Sequence, residues 1–287
     1  MHVHSFTKKK TGGNPAGVVL HPPEKLSVDQ MKHVSKILHV SETAFVFPSK
    51  QADVNVRFFS PEVEVDLCGH ATIATFYSIG LKQSFTPNQK KTFIQETKAA
   101  ILPVHLYVQQ DGSIDKVMMK QAPVQFSSKK IPYPTLAEAL RVDENVFRKD
   151  LPQQAVSTGL FTLPVCVSTF DVLQNMEPDF DKINRICQQL DVGSLHVFTF
   201  DTLESNSLYH ARNFAPRYGI NEDPVTGTAN GAVCSYLRAA GCFSGRYIVV
   251  EQGDIINCSG RVFVEFQRDS VFVGGSAVLV EEKTLSV

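Results

Sequence analysis

The sequence predicts an α+β fold of two similar halves, each a mostly antiparallel sheet wrapped on a central helix. Three observations lead there. Strand signals come in runs, without the regular β-α-β alternation of a doubly wound parallel sheet. Each half holds one helical segment that is small or apolar on nearly every side, as a helix enclosed by its own domain must be. And the residues leading into those two helices occur twice.

The elements follow in chain order. Ala16–Leu20 reads as a strand after the Gly12-Gly13-Asn14-Pro15 turn, and Thr43–Phe47 as another, ended by Pro48. Between them Ser27 and Gln30 form a capping box, followed by Met31, Val34, Ile37 and Leu38 at helical spacing. Asp53–Phe58 alternates polar and apolar residues, the mark of a half-buried strand. The first enclosed helix opens at Gly69 and runs to Leu81. Strands then resume at Thr92–Glu96, Leu102–Gln109 and Asp115–Gln121. A Pro-rich stretch leads into a short helix for which Thr135 and Glu138 offer a capping box. Leu163–Ser168, Leu195–Phe200 and Tyr209–Phe214 read as strands and Phe180–Leu190 as a helix. The second enclosed helix, Gly227–Ala240, stops at Gly241, a suitable C-terminal glycine. Tyr247–Glu251, Val262–Gln267 and Val271–Val280 complete the set. The boundary is expected near 120–132, giving domains 1–122 and 123–275, with the C-terminal strand, about 276–287, returning to complete the first.

Composition narrows the function. A length of 287 residues suits two domains, and 43% hydrophobic with 20% charged residues is ordinary for a globular chain. A formal net charge of −1 leaves no excess of positive charge to release counterions from a nucleic acid. No apolar run approaches the ~18 residues of a membrane span, and the N-terminus lacks a signal-peptide core, so neither a membrane nor secretion is expected. The six cysteines show no C-x-x-C pair, which fits reduced thiols in a cytoplasmic protein better than a disulfide framework or structural zinc. His2 and His4 share a strand face but adjoin no third ligand, so no metal site is expected.

The duplicated block carries the functional reading. Arg57-Phe58-Phe59-Ser60-Pro61 matches Arg212-Asn213-Phe214-Ala215-Pro216, and Cys68-Gly69-His70-Ala71-Thr72-Ile73-Ala74 matches Thr226-Gly227-Thr228-Ala229-Asn230-Gly231-Ala232. Two related halves are expected to bring equivalent loops face to face across a cleft. The free N–H groups at a helix start suit an anion, and the small residues there let a ligand carboxylate approach the backbone. Acid–base candidates cluster at these loops: Glu42 before a strand, His70 in the first turn of the first central helix, and Asp223 before the second, held extended by Pro224. Thr228 can donate a hydrogen bond. The plainer alternatives are a capping Asp223, a core His70 and an exposed-turn Glu42. No dinucleotide fingerprint, P-loop, H-E-x-x-H or nucleophile elbow is present.

At these residues the chain resembles the phenazine-biosynthesis PhzF-like family, within the diaminopimelate-epimerase-like fold. The resemblance rests on Gly13-Asn14-Pro15-Ala16, Ser41-Glu42-Thr43-Ala44-Phe45, Arg57-Phe58-Phe59-Ser60-Pro61 and Leu67-Cys68-Gly69-His70-Ala71-Thr72. It continues through Phe214-Ala215-Pro216, Glu222-Asp223-Pro224-Val225-Thr226-Gly227-Thr228-Ala229 and Gly274-Gly275-Ser276-Ala277-Val278. It implies two pseudo-symmetric domains, each a curved, mostly antiparallel, barrel-like sheet around a central helix, and an isomerase of a small carboxylate that is a homodimer and uses no cofactor. Its best-understood activity is isomerisation of a dihydro-hydroxyanthranilate by proton transfer. Glu42 then corresponds to the general acid/base, His70 and Asp223 to its supporting polar residues, and Asn14, Gly69, Ala71, Gly227 and Thr228 to substrate-binding positions. Thr228 replaces a serine. Diaminopimelate epimerases use two cysteines, one before each central helix; Cys68 matches the first but Thr226 holds the second place, and a hydroxyl is too weak an acid for that exchange. Two rivals stay open: a racemase or epimerase using Cys68, and a non-catalytic ligand-binding or interaction protein that keeps the fold.

Overall fold

Residues 1–23 and 25–285 are described by the structure, a computed structural model. The chain divides into two units, one comprising Met1–Lys120 with the chain from Gly274 onward, the other Gln121–Val273.

In the first unit β1 (His2–Ser5), β2 (Asn14–Val19), β3 (Thr43–Phe47) and β4 (Val54–Phe59) lie side by side, followed by β6 (Lys90–Glu96), β7 (Ile101–Val108) and β8 (Ile114–Lys120). β5 (Glu64–Val65) pairs back on β4. Two pairs, β2 with β3 and β4 with β6, are parallel and the rest antiparallel. Each parallel pair is joined by a helix, because a parallel neighbour needs a crossover. The first crossover is α1 (Val28–Leu38). Its capping box forms as expected: Ser27 accepts from the Gln30 backbone and Gln30 from that of Ser27. Met31 and Val34 then pack on Phe45 and Phe59, whose rings meet edge to face at 5.7 Å.

The second crossover is α2 (Gly69–Leu81), whose length matches the sequence expectation. It packs against β1, β2, β3, β7, β8 and the C-terminal strand Ala277–Glu281. That encirclement is why it is apolar on nearly every side. The C-terminal strand lies antiparallel to β1, with Val3 opposite Leu279. Of the expected completing segment 276–287, positions 286 and 287 lie outside the described residues.

The second unit repeats this plan. β9 (Gln125–Ser127), β10 (Ala155–Ser157), β11 (Phe161–Cys166), β12 (Ser194–Thr199) and β13 (Ser207–Ala215) are neighbours, then β15 (Tyr247–Gln252) and β16 (Gly260–Gln267). β14 (Ile220–Asp223) pairs back on β13 as β5 does on β4. β11 with β12 and β13 with β15 are again the parallel pairs. Their crossovers hold α4 (Phe170–Asn175) with α5 (Phe180–Leu190), and the central α6 (Gly227–Ala239). Gly241, at φ +75°, follows α6 in the left-handed region. α3 (Tyr133–Leu140) and α5 cover the sheet through Leu136, Leu140, Ile183, Ile186 and Leu190.

Two expectations are corrected. The Thr135/Glu138 capping box does not form, since α3 starts at Tyr133 after Pro132, with no side-chain cap. Pro132 and Pro134 pre-set φ and lack N–H groups, so the helix opens earlier without one. The run Val271–Val280 is two strands, Ser270–Gly275 (β17) and Ala277–Glu281, parted at Ser276, whose hydroxyl donates to the Asp115 carbonyl at 2.8 Å. Hydropathy is continuous across that break, so no pattern marks it. Among the described residues no helix is long and apolar enough to cross a membrane, and all six cysteines are free thiols.

Candidate active site

The head of α2 is assembled from three separate stretches. Gly13, at φ +68°, closes the β1–β2 turn, where a Cβ would stand 2.3 Å from the Ser5 carbonyl. That turn sets Ser5 opposite Asn14, and the Ser5 hydroxyl donates to the His70 carbonyl at 2.7 Å. Asn14 itself is buried at the start of β2. Glu42 precedes β3, and its carbonyl accepts from the Gly17 amide at 3.1 Å, continuing the β2–β3 register by one residue. The Glu42 backbone is therefore placed by the sheet, with no freedom of its own loop involved.

The side chains converge. His70 Nε2 stands 3.4 Å from Glu42 Oε2, with 11% and 16% of the two side chains exposed, and 3.4 Å from Ser41 Oγ. His70 Nδ1 is 3.4 Å from Cys68 Sγ. The imidazole thus stands between a carboxylate and a thiol, able to pass a hydrogen bond to either through the tautomer it adopts. Cys68 stands at the N-cap of α2 without a side-chain capping hydrogen bond to the helix backbone, and no acidic residue lies in the first turn, where Gly69 and Ala71 leave the backbone uncrowded. Such a helix start favours an anion.

The second unit carries the counterpart, and hydrogen bonds give the alignment. Arg57 makes a bidentate pair with Glu64 and stacks over Phe59; Arg212 does the same with Glu222 and Phe214. From Glu64 and Glu222 onward the copies run without a gap, so the three-residue difference in spacing lies in the turn before them. Val65 then corresponds to Asp223, Cys68 to Thr226 and His70 to Thr228. The Ser5 bond recurs as well: Thr158 Oγ1 donates to the Thr228 carbonyl at 3.2 Å, and Gly159 (φ +155°) follows it. Thr43 lies opposite Phe59 and Leu195 opposite Phe214, which makes Ser194 the counterpart of Glu42. The first unit has thus kept the carboxylate, thiol and imidazole where the second has three hydroxyls.

Asp223 sits differently. Thr226 Oγ1 donates a short bond to its carboxylate, and Gln252 Nε2 donates to its carbonyl at 2.8 Å. Gln252 Oε1 in turn accepts from Asn230 Nδ2 at 2.7 Å and from the Thr226 amide at 3.1 Å. Asn230 contacts buried His196 and accepts from Tyr209 at 2.8 Å. Asp223 is therefore held by a side-chain network that locks the start of α6, at Gly227 and Thr228. Sequence reading missed this network and the Ser5 and Thr158 clamps. The clamps were detectable by extending the repeat back to Gly13 and Gly159; the network has no local signature, because its members come from five different elements.

The duplicated fold, two units each with a sheet around a central helix, recurs among solved structures. A probable proline racemase from Agrobacterium radiobacter superposes with a TM-score of 0.64 over 97% of this chain and 89% of its own, and at 12% identity that likeness shows the fold alone. The phenazine biosynthesis protein of the PhzF family from Bacillus anthracis is much nearer, with a TM-score of 0.89, 31% identity and coverage of 100% of this chain and 98% of that one. The uncharacterized isomerase YfhB of Bacillus subtilis is 35% identical over 99% of this chain and 97% of its own length. The family model for phenazine biosynthesis-like proteins (PhzC-PhzF) matches residues 3–283, and the chain belongs to that family.

Proposed function

We propose that the chain is an isomerase that moves a proton between carbon atoms of a small carboxylate-bearing metabolite, without a cofactor, using Glu42 as acid and base. Its class, an isomerase, follows the full-length relatives, which carry that name. The observation that carries the mechanism is the approach of Glu42 to His70 at 3.4 Å, both mostly withdrawn from water. The Glu42 carboxylate takes the C–H proton, and the electron pair left behind delocalises toward the substrate's carbonyl or carboxylate. The protonated Glu42 then returns its proton to another carbon of the same π-system. An N–H of His70 and the free amides at the start of α2 stabilise the charge that develops. Asp223 enters the proposal as a supporting polar residue of the catalytic set, and Thr228, with the uncrowded backbone at Gly227, as a substrate-binding group. Asn14, opposite Ser5 at the start of β2, is proposed as a further substrate-binding residue.

One observation favours a second reading. Cys68 Sγ lies as near His70 as Glu42 does, so a thiol acting with the imidazole is chemically available for racemisation or epimerisation. A homodimer and a cytoplasmic location complete the proposal, the first on the family resemblance and the second on free cysteines without a disulfide pattern.

The test is proton NMR in D₂O with a panel of small carboxylates, dihydro-hydroxyanthranilate included. Wild type is expected to isomerise one of them or exchange a carbon-bound proton. Glu42→Gln should lower that rate by about 10²–10⁴ with its fold unchanged. Near-wild-type turnover in Glu42→Gln would reject the mechanism.

A further inference from the structure

The donors around His70 are chemically mixed and close together. Glu42 supplies a carboxylate oxygen, Cys68 a sulfur and His70 a ring nitrogen, all within 4.8 Å of one another, and among the described residues this is the one grouping of three such ligands. His70 Nε2 is the nitrogen that serves all three, at 3.4 Å from Glu42 Oε2 and 4.0 Å from Cys68 Sγ. A tetrahedral zinc ion with ordinary bond lengths sets its nitrogen and oxygen ligands about 3.3 Å apart and nitrogen and sulfur about 3.5 Å apart. The first spacing is already met, the second closes with a shift of roughly half an ångström, and the oxygen–sulfur edge, within 4.8 Å here, must close toward about 3.5 Å, by rotation of the Cys68 and Glu42 side chains. The backbone carrying two of the ligands is anchored, His70 through its carbonyl to Ser5 and Glu42 through its carbonyl to Gly17.

We propose that Glu42, Cys68 and His70 bind a zinc-class divalent ion through three protein ligands, leaving the fourth tetrahedral position to water or an anion. A sulfur–nitrogen–oxygen set selects borderline-soft ions such as Zn²⁺ and Co²⁺ over Mg²⁺ and Ca²⁺, which take oxygen alone. Binding forms the metal–sulfur bond at the expense of the Cys68 S–H bond, and that proton leaves to solvent; His70 coordinates neutral and Glu42 as the carboxylate. The other thiols compete poorly. Burial pushes those of Cys166, Cys187 and Cys234 up to about 12 and raises those of Cys242 and Cys258 above the ordinary thiol value, so all five hold their protons more tightly than a free thiol. Resting on the function proposed above, the consequence is inhibition, since the metal occupies the oxygen that must accept the proton.

Cobalt titration of the metal-free full chain tests the site without reference to activity. One equivalent of Co²⁺ is expected to produce a thiolate-to-cobalt charge-transfer band and the visible bands of a tetrahedral ion. Cys68→Ser should abolish the charge-transfer band, Glu42→Gln should weaken affinity at least tenfold, since an outer-shell change already costs about that, and Cys242→Ala should leave both unchanged. Mg²⁺ should not displace the cobalt, and Zn²⁺ should. A band that survives in Cys68→Ser, or no saturable binding by wild type, overturns the proposal. Thermal melts of each variant separate a lost ligand from a lost fold. A cobalt band in a protein inactive on every substrate would leave the metal site standing and reject the isomerase reading alone.

Discussion

At the residue scale, the clustered acid–base side chains fall in one copy of a duplicated motif. Glu42, Cys68 and His70 are matched in the second unit by Ser194, Thr226 and Thr228, and the one carboxylate added there, Asp223, is engaged by Thr226. Hydroxyls do not exchange protons with carbon acids near neutral pH, so the second copy offers hydrogen bonds where the first offers acid–base groups. The roles of Glu42 and Cys68 separate by mutation. Under the carboxylate mechanism, Cys68→Ala should change the rate by less than about tenfold, since it removes a neighbour of His70 and not the group that moves the proton. A loss comparable to that in Glu42→Gln, measured by the same deuterium-exchange assay, would transfer the catalytic role to the thiol.

At the element scale, the site depends on a turn and two strand registers. Gly13 has a left-handed φ and a carbonyl where a side chain would start. Gly13→Ala should therefore cost about 2 kcal/mol or more in urea unfolding, from strain and displacement of the Ser5 carbonyl. The same change should weaken the Ser5–His70 bond and lower turnover beyond what the stability loss accounts for. Gly219→Ala is the control: it too has a positive φ, but nothing stands within 4 Å of its added carbon. It should show the backbone penalty without the loss of activity. Equal activity losses in the two would show that the turn does not position His70.

At the scale of the whole molecule, the second unit holds two buried ionisable groups that tie its stability to pH. Burial pushes the His196 imidazole down to about 4, although Asn213 and Asn230 oppose the shift. Burial pushes the Glu251 carboxyl up, but His210 and the backbone amides of Leu203 and Glu204 outweigh it and hold it at about 2. Both folded values lie below the unfolded ones, so each contribution is full above the unfolded value and disappears as pH falls through the folded one. For His196 that window runs from 6.5 to about 4, and for Glu251 from 4.5 to about 2. Each is worth at most about 3 kcal/mol. Urea unfolding at stepped pH should show stability declining from about pH 6.5 downward. Glu251→Gln should be less stable at neutral pH and flatter below 4.5, and a wild-type slope there would exclude Glu251 as a source of acid sensitivity.

The sequence alone determined what depends on neighbours along the chain. The span of α2, the capping box of α1, the glycine after α6 and most strands follow from side-chain period and from groups three or four residues apart. The duplication was legible too, because Arg57, Pro61 and Gly69 recur in order as Arg212, Pro216 and Gly227, and the family through the resemblance of stretches such as Ser41-Glu42-Thr43-Ala44-Phe45. Glu42, His70 and Asp223 could be named as candidates because they flank those recurring residues. Only the tertiary structure decided which of them meet. Glu42 and His70 are 28 residues apart, and they converge because β2 and β3 pair in one register and α2 docks inside the same sheet. Ser5 reaches the site across 65 residues, and Gln252 reaches Asp223 across 29. The breaks that escaped sequence reading, at Ser276 and at the start of α3, were settled by a hydrogen bond to Asp115 and by proline geometry. Periodicity reports which face of an element is buried; the partner of each polar atom is chosen by the packing of whole elements, and no short stretch of sequence encodes it.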